Sequence, residues 1–384
     1  MRLLVAPATL LALVAVAFAV PASAAQGEGS RQTFIVVLKH SGDAPSAVAA
    51  EHSARFGADV QHVYEHALNG YAASLAEGNL AALLADHRVA SVEHDAEVTA
   101  LTTQTNATWG LDRSDQRALP LSTTFSYSNT GAGVKAYIID TGIRASHNEF
   151  GGRVVQGTDI VDGGAADDCN GHGTHVAGTV GGATYGVAKS VTLVAVRVLN
   201  CSGSGTTSGV IAGVDWVTGN HQAGQPAVAN MSLGGGASST LDTAVRTSIA
   251  DGVSYVIAAG NGNAGGRQQD ACKTSPARVA EAMTISATDK ADAKASWANY
   301  GNCVDWFAPG VGITSAWHTG TSATNTISGT SMATPHTAGV AALYLQSNSS
   351  ATPATVRDTL FGLTTKGIVT SSKTTNNHLL FTNF

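Results

Sequence analysis

The chain has 384 residues, of which only 12% are charged, and its formal net charge at neutral pH is -6. Lysine and arginine are spread thinly, so there is no basic face for a phosphate backbone, which argues against a nucleic-acid-binding function. The 43 glycines and the many Ser, Thr and Asn residues are instead typical of a compact secreted protein with many tight turns.

The N-terminal segment has one early arginine, a long apolar core and the small-residue sequence Ala22-Ser23-Ala24. This pattern predicts a secretory signal peptide over residues 1–24, cut after Ala24. A single-pass membrane anchor is the alternative, but no charged stop-transfer flank follows the apolar core. No later apolar run is long enough to span a bilayer, so we expect an extracellular protein without a membrane partner.

From Thr33 to about Val98 the pattern predicts strand, helix, strand, strand, helix, strand. The strands are TFIVVLK, ADVQHVYEH, NGYAASL and VASVEHDAEV, and the helices are APSAVAAEHSARFG and EGNLAALLADHR. This βαββαβ order is that of a small ferredoxin-like unit. The polar stretch LTTQTNAT that follows has no period and is expected to be an exposed linker.

Beyond Trp109, short apolar runs alternate with helical segments such as GTHVAGTVGG, SGVIAGVDWVTGNH and TLDTAVRTSIADG. The runs GVKAYIID, VTLVAVRVL, AVANMSL and VSYVIAAG are nearly continuous, as expected of parallel strands buried on both faces. The pattern predicts an α/β fold with a doubly wound, mostly parallel sheet, whose sites form at the carboxyl ends of the strands.

Three polar residues stand where such sites form. Asp140 ends GVKAYIID, His172 lies among glycines at a helix start, and Asn261 follows VSYVIAAG. Asp and Asn are also common turn residues, and His172 with His175 could hold a metal. The metalloprotease signature H-E-x-x-H needs a glutamate that is absent between these histidines. We therefore expect His175 to pack behind the site.

Ser331 lies in GTSMATPH, just before the apolar run AGVAALYL. Its hydroxyl could cap the helix, or it could be a nucleophile whose developing charge the helix N–H groups stabilise. Serine hydrolysis needs a nucleophile, a base, a carboxylate that orients the base, and an oxyanion donor. Ser331, His172, Asp140 and Asn261 are the candidates for these four roles.

In chain order, the motifs DTGI, GHGTHVAG, AAGN and GTSMATPHTAGVAALYL resemble those of the subtilisin-like serine proteases. Segments such as WGLDRSDQRALPLS and SGVIAGVDWV are similar to the proteinase K branch, and in particular to the aqualysin group. The resemblance implies a serine endopeptidase in which Asp140 orients His172, His172 is general base and then general acid, and Ser331 is the nucleophile. The backbone N–H of Ser331 and the side chain of Asn261 would form the oxyanion hole.

Two other functions remain as alternatives. A catalytically silent binding protein could keep the scaffold, but the four intact candidate residues argue against it. An esterase of the α/β-hydrolase type would need G-x-S-x-G and the order Ser, Asp, His, which GTSMA does not fit.

The resemblance also implies a substrate cleft. The edge that pairs with an extended peptide would be Gly203-Ser204-Gly205, and the walls of the S1 slot would be Ser232-Leu233-Gly234 and Ala258-Ala259-Gly260. Because no charge lies in these segments, we predict broad specificity with apolar or aromatic residues at P1. The loop after Asn261 is longer than in the aqualysin group, so the resemblance does not extend to the rim of the S1 slot.

The ferredoxin-like unit resembles the inhibitor-type propeptide of the family. This implies a signal peptide at residues 1–24, a propeptide at 25–101 and a peptidase domain at 102–384, with self-cleavage between Ala100 and Thr103. The propeptide would be an intramolecular chaperone and inhibitor, and a separate substrate-binding module is the alternative. We expect a monomer that acts on proteins and peptides.

The resemblance also implies structural calcium. Oxygen ligands suit a hard cation such as calcium, but an acidic pair could equally be solvated. The implied ligands are Asp112, Asp115, Gln116 and Ser122 at one site, and Asp305 with the backbone carbonyls of Ala280 and Ala282 at the other.

Four cysteines follow the export signal, and they allow three disulfide pairings among which the residues do not choose. Free thiols or a zinc site are the alternatives, but no pair has C-x-x-C spacing. The resemblance selects the pairings Cys169–Cys201 and Cys272–Cys303.

Overall fold

The computed structural model describes residues 31–39, 42–95, 102–263 and 265–384. The predicted signal peptide and residues 96–101, just before the predicted cleavage, lie outside the described residues. The chain divides into two compact units, one within residues 1–98 and the other within residues 99–384. Among the described residues, no helix has the length and apolar character needed to cross a membrane.

The first unit is a four-stranded antiparallel sheet with two helices. Its strands are Arg31–Leu38 (β1), Asp59–Tyr64 (β2), Gly70–Ala76 (β3) and Val89–His94 (β4), and its helices are Pro45–Phe56 (α1) and Leu80–Leu84 (α2). The strand order is β2-β3-β1-β4, and every pair is antiparallel. This arrangement confirms the predicted ferredoxin-like unit.

Helix α2 is shorter than the predicted segment 77–88. A 3-10 turn, Glu77–Asn79, precedes it, and the helix ends at Leu84. Just beyond, the Asp86 carboxylate accepts the backbone N–H of Arg88 at 2.9 Å and its guanidinium at 2.9 Å. Such local side-chain bonds compete with helical ones, so the chain turns here into β4.

The second unit has thirteen strands and six helices among its described residues. The strands are Thr102–Thr105 (β5), Thr124–Tyr127 (β6), Lys135–Asp140 (β7), Val154–Asp159 (β8), Thr192–Arg197 (β9), Ala227–Met231 (β10), Gly235–Gly236 (β11), Ser254–Ala258 (β12), Thr274–Ser275 (β13), Met283–Thr288 (β14), Trp306–Pro309 (β15), Ile313–Ala316 (β16) and Thr324–Ile327 (β17). The helices are Trp109–Ser114 (α3), His172–Gly181 (α4), Thr207–Asn220 (α5), Ser239–Ala250 (α6), Thr330–Ser347 (α7) and Pro353–Leu363 (α8).

Seven of these strands form one sheet in the order β15-β14-β12-β10-β7-β9-β8, with every pair parallel. Successive residues of β7 face opposite sides of it. Ile138 packs with Val176 of α4 and Val340 of α7, whereas Ile139 packs with Val214 of α5 on the other face. The predicted doubly wound α/β fold is confirmed, and the strand order reverses between β7 and β10.

Part of the stretch LTTQTNAT is largely exposed, as its polarity predicts, but it forms a strand and not a linker. Thr102–Thr105 forms β5, which pairs antiparallel with β6. The side chain of Gln104 also donates to the carbonyl of Thr184 at 3.0 Å. This pairing rests on backbone hydrogen bonds between two strands with little burial, so apolar periodicity could not reveal it.

Candidate active site

The three predicted catalytic side chains come from elements that meet at the carboxyl edge of the parallel sheet. Asp140 is the last residue of β7, His172 is the first residue of α4, and Ser331 is the second residue of α7. In doubly wound sheets, ligands bind in the crevice where the strand order reverses. Asp140 lies at that reversal, since β7 adjoins β10 there.

His172 and Asp140 form a short hydrogen bond. Nδ1 of His172 lies 2.7 Å from Oδ1 of Asp140, which is fully buried and also accepts the backbone N–H of Thr141 at 2.7 Å. Because an ionised carboxylate only accepts, Nδ1 carries the proton, and Nε2 of the neutral ring is left as a base.

The charge balance of the site favours a basic imidazole. Burial lowers the pKa of His172, but the charge and hydrogen bond of Asp140 and the charge of Asp168 raise it by more. The pKa of His172 therefore lies above its usual value of 6.5. A base with a pKa near the working pH is suited to proton transfer.

Ser331 and Ser232 are joined by two reciprocal hydrogen bonds. The Ser331 hydroxyl donates to the Ser232 carbonyl at 3.0 Å, and the Ser232 hydroxyl donates to the Ser331 carbonyl at 2.9 Å. Within the described residues, the Ser331 hydroxyl makes no hydrogen bond to His172. Rotation about the Cα–Cβ bond of Ser331 is needed to direct the hydroxyl to the imidazole, and catalytic bonds often tighten only with substrate.

The second of these bonds replaces one that the helix lacks. Pro335 lies inside α7 and has no N–H to donate to the Ser331 carbonyl four residues earlier. The Ser232 hydroxyl, which itself accepts from Nδ2 of Asn230 at 2.8 Å, takes its place. Ser232 thus holds the first turn of α7 in addition to lining the cleft.

Asn261 presents its amide nitrogen beside the same helix start. Its Oδ1 accepts the backbone N–H of Thr330 at 2.8 Å and the Thr330 hydroxyl at 2.9 Å. These two donors fix which side of the amide is oxygen, so Nδ2 remains available as a donor. The N–H of Ser331 belongs to the first turn of α7 and has no partner within the helix. Two donors of the predicted oxyanion hole are thus present.

Asp168 links the strand that carries Asp140 to the helix that carries His172. Its Oδ1 accepts the Thr141 hydroxyl at 2.9 Å, and its Oδ2 accepts the backbone N–H and the hydroxyl of Thr174 at 2.9 and 2.6 Å. The Thr141 hydroxyl in turn accepts the backbone N–H of Gly173 at 2.9 Å. Asp168 directly precedes the CNGHGTH stretch, but no pattern in the sequence predicts its role.

Two cavities meet at Ser331. One, of about 550 Å³, is lined by His172 and by the predicted residues Gly203 to Gly205 and Ser232 to Gly234. The other, of about 420 Å³, is lined by Leu233, Gly234, Ala258, Ala259, Gly260 and Asn261. All nine residues predicted to bind substrate therefore line one or both cavities.

The second cavity is also lined by polar side chains that the sequence did not predict. Asn299 is buried and holds one wall, because its side chain donates to the Ala259 carbonyl at 2.8 Å and accepts the backbone N–H of Gly262 at 3.0 Å. Gln269 and Lys273 line the cavity too, and Lys273 is the one charged residue among its described lining residues. Lys273 is exposed, and no side chain of the described residues pairs with its ammonium group.

Both disulfides have the pairing that the resemblance implies. Cys169–Cys201 joins the loop before His172 to the loop that carries Gly203, with Cα atoms 4.9 Å apart. Cys272–Cys303 ties the segment before β13 to the segment before β15, with Cα atoms 5.3 Å apart. There is no free cysteine in the described part of the chain.

The first set of predicted calcium ligands fits a cation. Oδ1 of Asp115 is buried without a hydrogen-bond donor, and burial together with the nearby Asp112 raises the pKa of Asp115 to about 6. Ser122 lies between Asp112 and Gln116, because its N–H donates to Oδ1 of Asp112 at 3.1 Å and to Oε1 of Gln116 at 3.2 Å. Asp112, by contrast, accepts hydrogen bonds at both of its oxygens. A buried carboxylate oxygen without a donor, beside a second carboxylate, offers the oxygen ligands that calcium prefers.

In the second predicted set, the carboxylate of Asp305 is already paired with an arginine. Oδ1 of Asp305 accepts the guanidinium of Arg357 at 3.0 Å, and its Oδ2 accepts the backbone N–H of Thr284 at 2.8 Å. The arginine supplies positive charge beside this carboxylate, but burial outweighs it and raises the pKa of Asp305 above its usual range.

His175 packs behind the site, as predicted. Its Nε2 lies 3.0 Å from the Ile313 carbonyl, and burial lowers its pKa to about 4, so it is neutral at neutral pH. Across the described residues, no three His, Cys, Asp or Glu side chains cluster so that they could hold a metal ion.

Comparisons with known proteins assign both units. Residues 131–379 match the model of the subtilase family, and residues 33–101 match that of peptidase inhibitor I9. The extracellular serine proteinase of Thermus sp. (strain Rt41A) is 58% identical over 330 residues, which cover 85% of this chain and 79% of the relative. Alkaline serine exoprotease A of Vibrio alginolyticus is 54% identical over 336 residues, which cover 86% of this chain and 61% of the relative. The crystal structure of a cold adapted subtilisin-like serine proteinase aligns with a TM-score of 0.70 and 55% identity, covering 73% of this chain and 100% of that chain.

Proposed function

Because this chain belongs to the subtilase family of serine proteinases, we propose that it is a secreted, self-processing endopeptidase that works through Asp140, His172 and Ser331. The observation that carries the proposal is the 2.7 Å bond between His172 and Asp140 beside a cavity that Ser331 also lines. The predicted signal peptide and the extracellular relative support secretion.

The reaction proceeds by acyl transfer. Oγ of Ser331 forms a bond to the carbonyl carbon of the scissile peptide while Nε2 of His172 accepts its proton. The carbonyl oxygen becomes an oxyanion that accepts from the Ser331 N–H and from Nδ2 of Asn261. The peptide C–N bond then breaks as His172 returns the proton to the leaving amine. Water hydrolyses the acyl-enzyme by the same steps, and Asp140 stabilises the imidazolium in both stages.

The substrate binds as an extended peptide along Gly203 to Gly205, with its P1 side chain in the 420 Å³ cavity. Leu233, Ala258 and Ala259 give that cavity apolar walls, which supports apolar and aromatic P1 residues with broad tolerance elsewhere.

The first unit acts as the propeptide of the same enzyme. Its match to peptidase inhibitor I9 supports an inhibitor role, and the marginal core of so small a unit supports a chaperone role that ends in release. In this proposal the precursor comprises residues 1–24, 25–101 and 102–384, and the monomeric enzyme cuts itself just before β5.

Calcium binds at Asp112, Asp115, Gln116 and Ser122 in this proposal. When bound, the ion neutralises the two carboxylates and so stabilises the loop between α3 and β6. It takes no part in the bond-making steps.

The proposal is tested with purified precursor and its Ser331→Ala variant, incubated with calcium and a peptide that has an apolar P1 residue. We expect the wild type alone to shorten to a chain that begins near Thr102, and then to release product. Ser347→Ala, at the other end of the same helix, is the matched control and should process normally. Cleavage of the Ser331→Ala chain at the same position would assign processing to another protease, and an inert wild type would contradict the activity.

A further inference from the structure

Asp168 is a second carboxylate that faces the catalytic histidine, and it is neither the triad acid nor a residue that reaches the cleft. The two cavities that contain Ser331 are not lined by it. Its side chain accepts five hydrogen bonds, from Thr141, from the backbone N–H groups of Asn170 and Gly171 at 2.9 and 2.8 Å, and twice from Thr174. So many bonds on one carboxylate fix its position.

These bonds close a ring around the catalytic pair. Asp140 accepts the N–H of Thr141, and the Thr141 hydroxyl both donates to Asp168 and accepts from Gly173, the neighbour of His172. The ring closes through the His172 bond to Asp140. Strand β7 and helix α4 are therefore locked together by one hydroxyl and one carboxylate, and the distance between the triad acid and base depends on both.

The backbone at the start of α4 explains why a remote carboxylate is needed. The residue that precedes the helix, Gly171, has a φ of 111° and no side chain to cap it. A Cβ at this position would lie 2.5 Å from Trp317, so a capping serine or aspartate does not fit. Asp168 caps the helix from three residues earlier through the N–H of Thr174, and its charge lies at the helix N-terminus.

We propose that Asp168 is a positioning residue for the reaction, which sets the place of His172 against Asp140 and keeps the imidazole basic. This inference rests on the proposed function. The charged or titratable groups around His172 are Asp140 on β7, Asp168 and Asp167 before α4, His175 on α4, and Arg144 and His318 on the adjoining loops. Asp140 and Asp168 are the two whose charges raise the pKa of His172.

The test compares Asp168→Asn, which keeps the shape and removes the charge, with Asp167→Asn, which removes the same charge one residue away. Asp167 is exposed and its side chain takes no part in the ring, so it is the matched control. For Asp168→Asn we expect kcat to fall about 10-fold with little change in KM, because the lost alignment affects the chemical step. The acid limb of kcat/KM against pH should move down by roughly 0.5 to 1 unit, because the imidazole loses a neighbouring negative charge.

Two further variants separate position from charge. Asp168→Glu keeps the charge but lengthens the side chain, and Thr141→Val removes the linking hydroxyl. Both variants should lower kcat, while the acid limb of kcat/KM against pH stays in place. If the Asp168→Asn precursor does not process itself, these two variants still test the positioning role. A reduced kcat with an unmoved acid limb in Asp168→Asn would overturn the proposal, and so would wild-type kcat in Thr141→Val.

All comparisons are made as ratios to the wild type on the same apolar-P1 peptide. A wild type that cleaves no peptide contradicts the proposed function, whereas an active wild type with an unaffected Asp168→Asn variant contradicts the role of Asp168 alone.

Discussion

Ser331 and Ser232 hold each other through two hydrogen bonds that run in opposite directions, one from each hydroxyl to the other residue's carbonyl. One wall of the cleft, at Ser232, and the proposed nucleophile Ser331 thus support each other. Because Pro335 removes the helical donor, the Ser331 carbonyl depends on the hydroxyl of Ser232.

Replacing Ser232 by alanine should therefore leave the Ser331 carbonyl without a donor. We expect the free energy of unfolding to fall by about 1–3 kcal/mol and kcat/KM to fall roughly 10-fold. The added change Pro335→Ala should recover part of both losses, because it supplies an N–H to the same carbonyl. Thermal unfolding and peptide hydrolysis measure the two effects, and a double variant no better than Ser232→Ala would refute the explanation.

Asn261 offers a test of the oxyanion site. Asn261→Asp keeps the oxygen that accepts from Thr330 but removes the amide donor. We expect kcat to fall by roughly 10²–10³-fold with KM nearly unchanged, the loss known for one such donor in a subtilisin. Asn302→Asp is the control, because it likewise keeps an oxygen that accepts from a threonine hydroxyl and it lines neither cavity. A rise in KM with kcat unchanged would indicate that Asn261 binds the substrate and does not stabilise the oxyanion.

The pH dependence of activity follows from the raised pKa of His172. Since the general base must be neutral, kcat/KM should rise with pH and reach half its maximum above pH 6.5. The stability of the fold has the opposite trend. Because the pKa of His172 is higher in the folded than in the unfolded chain, its protonated form stabilises the fold below pH 6.5. This stabilisation is lost as the pH rises through the folded-state pKa. A pH–rate profile recorded beside thermal unfolding checks both signs, and half-maximal activity well below pH 6.5 would contradict the assignment.

Asp115 predicts a pH-dependent response to calcium. Without the ion, the pKa of Asp115 is about 6, above its value in the unfolded chain. The ionised carboxylate therefore destabilises the fold above pH 6, and this destabilisation is lost as the pH falls and the carboxylate is protonated. Calcium should therefore raise the melting temperature more at pH 8 than at pH 5, and Asp115→Asn should lose most of that gain. Asp305→Asn should keep the calcium response, since Arg357 already pairs with Asp305. An unchanged melting temperature after chelation would exclude the site.

Lys273 should broaden the P1 preference towards acidic residues. It is the charged residue that lines the 420 Å³ cavity in the described structure, and Gln269 lies in the same lining. We expect Lys273→Gln to lower kcat/KM for P1 glutamate about 2- to 5-fold, as for an exposed ion pair, and to leave P1 phenylalanine unchanged. Arg267→Gln, on the same loop but not among the lining residues, controls for net charge. Equal effects on both substrates would show that Lys273 acts on folding.

The sequence predicted the elements whose residues carry a strong apolar pattern, and the site residues at their ends. β7 is an example, because its buried run ends at Asp140 where the strand meets the crevice. Residues that act through tertiary hydrogen bonds had no such signal. Asp168 and Asn299 are polar loop residues, and each forms a hydrogen bond to a residue distant in the chain. The bond from Thr141 to Asp168 spans 27 positions and that from Asn299 to Ala259 spans 40, so only the folded structure identifies them.

Pairing between backbones escaped the sequence for a related reason. β5 consists of threonine and glutamine, and nothing in its composition distinguishes it from a linker. The calcium ligands show the converse: the motif around Asp305 is present, but Arg357 comes from helix α8 and reaches the carboxylate only in the fold.

The disulfide between Cys169 and Cys201 fastens the loop that leads into His172, the proposed base, to the loop that carries Gly203, the proposed peptide-binding edge. The two loops consequently form one transferable module. A redesign of specificity that grafts a new Gly203 loop from a relative must import the matching Cys169 loop as well, because a changed path in one would displace the imidazole through the other.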